Sequence, residues 1–219
     1  MFATKLPEPK TRLSEKYAYI AKKMRESKEA EISISSAGSD KPEKIKMVDL
    51  ISDAQKKNRV IIVSITPGPV KDIKDLPKTW MYPENEAAQG CSVQLNAADQ
   101  AWEKLNGDVY GLNNKTSEYQ CGPDGLVAAK KYKKLRMISD ADQALKTAWE
   151  LPTIQVEKKD YLARLTVVLM PDGMDGVFEL DSPVNEHTAK DHVTLINNFM
   201  SPVLKQEHRR SPSPIQSGS

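Results

Sequence analysis

The sequence predicts an α/β domain with a central mixed sheet flanked by helices. Three observations carry this. The run "RVIIVSI" (59–65) is a β-branched run broken only by Ser64 after its leading Arg59, the pattern of a strand buried on both faces. After it, strand-like and helix-like segments alternate, which layers helices on a sheet. Near the end, "LARLTVVLM" and "GVFELDS" flank the turn-rich "PDGMD", the pattern of an antiparallel hairpin.

Taken in order, residues 1–45 read as a polar N-terminal extension. Within it, Leu13, Tyr17, Ile20 and Met24 fall near helical spacing, so one charged helix is expected. "SISSAGSDKPEK" reads as a linker. In "IKMVDLISDAQKK", Ile45, Val48 and Ile51 recur every three residues and suggest a helix entering the domain. The strand "RVIIVSI" is followed by a proline-rich loop, 66–90. From Cys91 to Leu105, Val93, Leu95, Ala98, Trp102 and Leu105 form one face of an amphipathic helix. "GDVYGLN" is a strand, "GLVAAKKYKKL" a helix, and "RMISD" a short strand. "DADQALKTAWE" is a helix with Asp140 as its N-cap. The hairpin and the helix "NEHTAKDHVTLINNFM" close the domain, set at residues 46–201. Residues 202–219, which include "RRSPSP", read as a disordered Ser/Pro-rich tail. An alternating α/β chain closing on a hairpin and a helix has the ordering of a thioredoxin-like fold.

Composition narrows the function. The chain has 219 residues, enough for one sizeable core. Hydrophobic residues make up 39% and charged residues 28%, which fits a globular domain with polar ends. A net charge of +2 gives no reason to expect nucleic acid as a partner. No apolar run approaches the roughly 20 residues that span a bilayer. Two cysteines are no disulfide scaffold, so a reducing compartment, cytoplasm or mitochondrial matrix, is expected. "MFATKLPEPKTRLS" has the basic, hydroxyl-bearing composition of a mitochondrial presequence, although Glu8 and two prolines argue against one. His187, His192 and His208 are too few and too badly spaced for a metal site, and no metal or other cofactor is expected. His187 and His192 read as solvated helix residues, and "AKKYKKLR" as a solvated basic face.

Cys91 is the residue that suggests chemistry. It stands where a helix begins, and the amide groups and dipole of a helix N-terminus favour a thiolate. Gly90 and Ser92 flank it without bulk, and Ser92 adds a hydroxyl. Arg164 lies inside the apolar "YLARLTVVLM", and a charge on a buried strand needs a partner. A thiolate with a bound peroxide would serve, and so would a carboxylate or an open strand end. If 162–170 is one strand, alternation puts Leu162, Arg164, Thr166 and Val168 on one face.

"GCSVQLNAADQAWEKLNGDVYGLNNKTSEYQ", then "ISDADQAL" and "RLTVVLMPDG", together resemble the peroxiredoxins. The closest group is the alkyl hydroperoxide reductase/thiol-specific antioxidant group that includes the bacterioferritin-comigratory type. The resemblance spans about residues 59–200. It implies a thioredoxin-like fold and an antioxidant peroxidase acting in cell redox homeostasis. Cys91 would be the peroxidatic nucleophile, Arg164 the stabiliser of thiolate and peroxide, and Ser92 an accessory hydrogen-bonding group. Gln94 lies in the same helical opening with no role assigned. Implied partners are a peroxide substrate, an external thiol reductant such as thioredoxin, glutaredoxin or glutathione, and a homodimer or larger assembly.

The chain also departs from the family. The pattern Pro-x-x-x-Thr/Ser-x-x-Cys meets Glu84 and Ala88 here, with Pro83 out of register. Losing one charge-assisted hydrogen bond costs about 1.5–3 kcal/mol. The resolving cysteine of the comigratory type would fall at Asn96, which leaves Cys121 as the only other thiol. A one-cysteine cycle is therefore the default, with Cys121 as the candidate resolving thiol. The competing reading is a weakened or inactive peroxiredoxin-like domain serving as an interaction or structural subunit.

Overall fold

The computed structural model describes residues 10–39, 41–67, 90–122, 132–156, 159–182 and 184–210. The expected linker and extension are built into the sheet. β1 (Thr11–Leu13) is followed by α1 (Tyr19–Glu26), β2 (Glu31–Ser35), β3 (Glu43–Lys46) and α2 (Met47–Lys56). The central strand β4 (Val60–Ile65) leads to α3 (Gly90–Ala101), β5 (Gly107–Asn113), α4 (Ser117–Cys121) and β6 (Arg136–Ser139). α5 (Ala144–Ala148) and the ribbon β7 (Thr153–Val156) and β8 (Lys159–Leu162) come next. β9 (Leu165–Leu169), β10 (Gly176–Leu180) and the long α6 (Glu186–Arg210) close the chain.

The main sheet has eight strands in the order β1-β10-β9-β4-β5-β6-β2-β3. β4, β5 and β6 are parallel, whereas β9 runs antiparallel to β4, and β10 to β9. The central quartet β10-β9-β4-β5, with α3 crossing from β4 to β5 and a helix after the hairpin, is the thioredoxin-like arrangement. The expected α/β mixed sheet is therefore present.

Strand alternation splits the core in two. On one face, Ile61, Val63 and Ile65 of β4 and Leu165, Val167 and Leu169 of β9 pack against α1, α2 and α5. On the other, Val60, Ile62, Val109, Val168 and Phe178 lie under α3 and α6 through Leu95, Ala98, Trp102, Ile196 and Met200. α3 approaches β5 at Gly111, where a Cβ would meet Met137 Sδ at 2.6 Å and Leu95 Cδ2 at 2.8 Å. A glycine there lets the helix sit down on the sheet.

Three boundaries differ from the sequence reading. Of residues 1–45, 1–9 and 40 lie outside the described residues, and the rest is no appendage: β1 pairs with β10, β2 with β6, and Ile20 and Met24 of α1 are fully buried. Arg25 fixes α1 to the hairpin, pairing both oxygens of Asp175 at 2.6 Å and donating to the Met170 carbonyl at 2.7 Å. The linker reading missed "EISIS", in which Ile32 and Ile34 alternate inward from an edge-side strand. At the other end, α6 continues to Arg210, so 202–210 is helical backbone, while 211–219 lies outside the described residues.

Smaller differences have local causes. "LARLTVVLM" is not one strand: β8 ends at Leu162, and Ala163 and Arg164 connect it to β9. Of "GLVAAKKYKKL", residues 125–131 lie outside the described residues, and 132–135 are not helical. The Lys133, Lys134 and Leu135 N–H groups instead donate to the Asp99 carboxylate at 3.1, 2.7 and 2.7 Å. Tyr132 is buried rather than solvated. Asp140 is not the N-cap of α5, which is Gln143, but its carboxylate still serves the helix start, accepting from Leu145 and Lys146 N–H at 2.8 and 2.9 Å.

Candidate active site

Topology brings two distant segments together. α3 begins beyond the C-terminal end of β4. Because β9 is antiparallel to β4, with Ile65 opposite Leu165, the chain just before β9 lies at that same end. Cys91 occupies the first turn of α3 and Arg164 directly precedes β9. Each is 6% exposed, so their meeting excludes most solvent. Arg164 Nη1 lies 3.4 Å from Cys91 Sγ.

The guanidinium is held from several sides. Its Nε donates to Ser182 Oγ at 2.7 Å, and its Nη1 also faces Gln94 Oε1 at 3.4 Å. The Arg164 carbonyl accepts the Leu180 N–H at 3.1 Å, which ties this connection to the end of β10. Rigid placement matters, because a planar guanidinium directs its donors in a fixed fork. Of these three side-chain partners, the sulfur alone can carry negative charge.

Gln94 and Ser182 were not assigned in the sequence reading. Gln94 was legible by spacing, since a residue three after Cys91 shares its helix face. Ser182 carries no local signal; it reaches the site only through the β9–β10 pairing. Gln94 is 3% exposed, and its Nε2 has no hydrogen-bond partner among the described residues. The Tyr132 hydroxyl, buried in the cluster under α3, is a second such donor. Burial pushes the Tyr132 phenol well above its ordinary range, and the charges at Asp99 and Cys91 add to the effect.

The other expected residues are placed differently. Ser92 is half-buried beside Cys91. Cys121 is the last residue of α4, which packs on β2 and β6, while the Cys91 partner Arg164 borders β9 on the far side of β4 and β5. Neither Cys91 nor Cys121 forms a disulfide among the described residues. Pro83, Glu84 and Ala88 lie outside the described residues. His187 is exposed, as expected, but His192 is 2% exposed and belongs to the core. Burial drives the His192 pKa down to about 4, so the ring is neutral at pH 7. Among the described residues, no group of three or more His, Cys, Asp or Glu could hold a metal ion. Nor is any described helix long and apolar enough to cross a membrane.

No family model matches this chain, and neither does any curated protein. Solved structures do match. Peroxiredoxin Q of Xanthomonas campestris is 16% identical, with 79% of this chain and 93% of that one covered, at a TM-score of 0.49. The bacterioferritin comigratory protein of Xanthomonas campestris is 16% identical over 81% and 94%, at 0.47. AhpC of Enterococcus faecalis is 14% identical over 84% and 94%, at 0.49.

Proposed function

We propose that the protein is a thiol-dependent peroxidase that reduces hydrogen peroxide or organic hydroperoxides at Cys91. The observation that carries this reading is the buried contact of 3.4 Å between Arg164 Nη1 and Cys91 Sγ. A cation beside a sulfur nucleophile stabilises the anion that attacks and the charge that develops as the peroxide breaks. The Cys91 thiolate attacks the terminal oxygen of ROOH. The S–O bond forms and the O–O bond breaks. Sulfur loses two electrons to become a sulfenic acid, which keeps the proton of the terminal oxygen. The departing RO⁻ takes a proton from water and leaves as an alcohol, or as water when R is hydrogen. An external thiol (thioredoxin, glutaredoxin or glutathione) then displaces the hydroxyl as water to give a mixed disulfide, and a second thiol regenerates Cys91. Cys121 is not required for this cycle.

Exposure to one equivalent of hydroperoxide tests the reading by intact mass and a sulfenate-trapping dione. The expected result is one added oxygen atom on wild type and on Cys121→Ser, and none on Cys91→Ser. Wild-type protein that takes up no oxygen at Cys91 would sink the reading and leave the interaction-subunit alternative.

A further inference from the structure

Gln94 contains an unexplained group. The residue is 3% exposed, one turn along α3 from Cys91 and on the same face. Its oxygen faces the cation: Arg164 Nη1 is 3.4 Å from Oε1, as it is from the sulfur. That orientation leaves Nε2 as a two-proton donor, and it has no partner among the described residues. Buried amide nitrogens are seldom left in this state, because desolvation without a hydrogen bond is costly. The Tyr132 hydroxyl, also buried without a partner, lies in the cluster that α3 covers. The region around Cys91 therefore holds more donors than the described residues have acceptors for. A ligand with oxygen acceptors would correct the mismatch.

The reaction proposed above brings in such a ligand. Its two oxygens enter beside the sulfur, and one gains negative charge as the O–O bond breaks. Arg164 Nη1 already faces the sulfur and the Gln94 oxygen, so a further donor is useful where that charge appears. We propose that Gln94 is a catalytic residue whose Nε2–H donates a hydrogen bond to the departing oxygen of the hydroperoxide. This rests on the peroxidase reading. It adds that the site works through a neutral amide donor as well as a cation, and that Gln94 does more than brace Arg164.

Two variants separate these roles. Gln94→Glu keeps the length and an acceptor for Arg164 but removes the N–H. Gln94→Met keeps the approximate volume and removes both functions. For each, the rate of Cys91 sulfenate formation with hydrogen peroxide is divided by its alkylation rate with iodoacetamide. Alkylation reports the same sulfur but expels iodide, so no oxygen needs a donor. The division also removes any change that the new carboxylate of Gln94→Glu makes to the thiolate fraction, which enters both rates equally. A hydrogen bond to a developing charge is worth about one to two powers of ten in rate. The ratio is therefore expected to fall about tenfold to a hundredfold in both variants. A ratio that falls only in Gln94→Met would overturn the donor role and leave Gln94 as a brace for Arg164. An unchanged ratio in both would reduce it to packing. Wild-type protein that alkylates but forms no sulfenate removes the peroxidase reading itself, and the donor role with it.

Discussion

Acidification should destabilise this protein through one buried ring. His192 of α6 is 2% exposed. Its Nδ1 lies 2.6 Å from the Thr11 hydroxyl of β1, and its Nε2 lies 2.9 Å from the Thr166 hydroxyl of β9, which meets Ser64 of β4 at 3.3 Å. The ring thus links an edge strand, the closing helix and the sheet centre. Burial alone lowers its pKa from 6.5 to about 4. The folded pKa lies below the unfolded one, so the unfolded chain binds the proton more readily. The His192 contribution is therefore full above the unfolded value and is lost as pH falls toward the folded one. Those two pKa values put the loss between pH 7 and pH 4.5 at about 2 kcal/mol. Urea unfolding of wild type and His192→Gln at both pH values is the assay. Carboxylates titrate in both proteins, so the difference between their losses isolates the ring, and wild type is expected to lose about 2 kcal/mol more. Equal losses would refute the argument. If the variant does not fold, NMR titration of the wild-type ring decides instead, and a ring half-protonated near pH 6.5 would equally refute it.

Arg164→Lys should lower the rate of Cys91 oxidation by hydroperoxide about tenfold to a hundredfold, because an ammonium lacks the fork that reaches the sulfur and Ser182 together. Stopped-flow oxidation paired with thermal melting checks this, and a large stability loss with unchanged oxidation would make Arg164 purely structural. Met24→Ala should cost about 2–5 kcal/mol by chemical denaturation, since Met24 is fully buried in the core. A loss near zero would restore the N-terminal segment to a dispensable extension. Gly111→Ala should cost about 1–3 kcal/mol, because its new methyl meets Leu95 and Met137 beneath α3. Full stability in that variant would mean that α3 can lift from the sheet without penalty.

The sequence revealed segments whose own pattern determines their state, and was less informative where distant pairing determines it. β4 is buried on both faces, so "RVIIVSI" reads correctly without context, and "GDVYGLN" was equally plain. The N-terminal strands were obscured because they lie toward the sheet edges, where Ser, Lys and Glu are tolerated and composition resembles a linker. His192 was misread for a related reason: it shares the apolar face of Ala189, Val193 and Ile196, but the partners that make a buried imidazole acceptable there, Thr11 and Thr166, come from strands far away in sequence. The same distinction runs through the candidate site. Cys91 announced itself at a helix start, and Arg164 by being a charge within an apolar stretch. Gln94 was visible as a position but not as a function, because an amide three residues after a cysteine acquires meaning only when a guanidinium arrives from the distant connection before β9 to claim its oxygen. Ser182 was invisible for the same reason. In both, the sequence supplies a functional group and the antiparallel pairing of β9 with β4 and β10 supplies its partner. The chemistry of this site therefore depends on strand register: a one-residue slip of β9 against β4 and β10 would displace Arg164, which directly precedes β9, from its place beside Cys91 and leave that cysteine at the start of an ordinary helix.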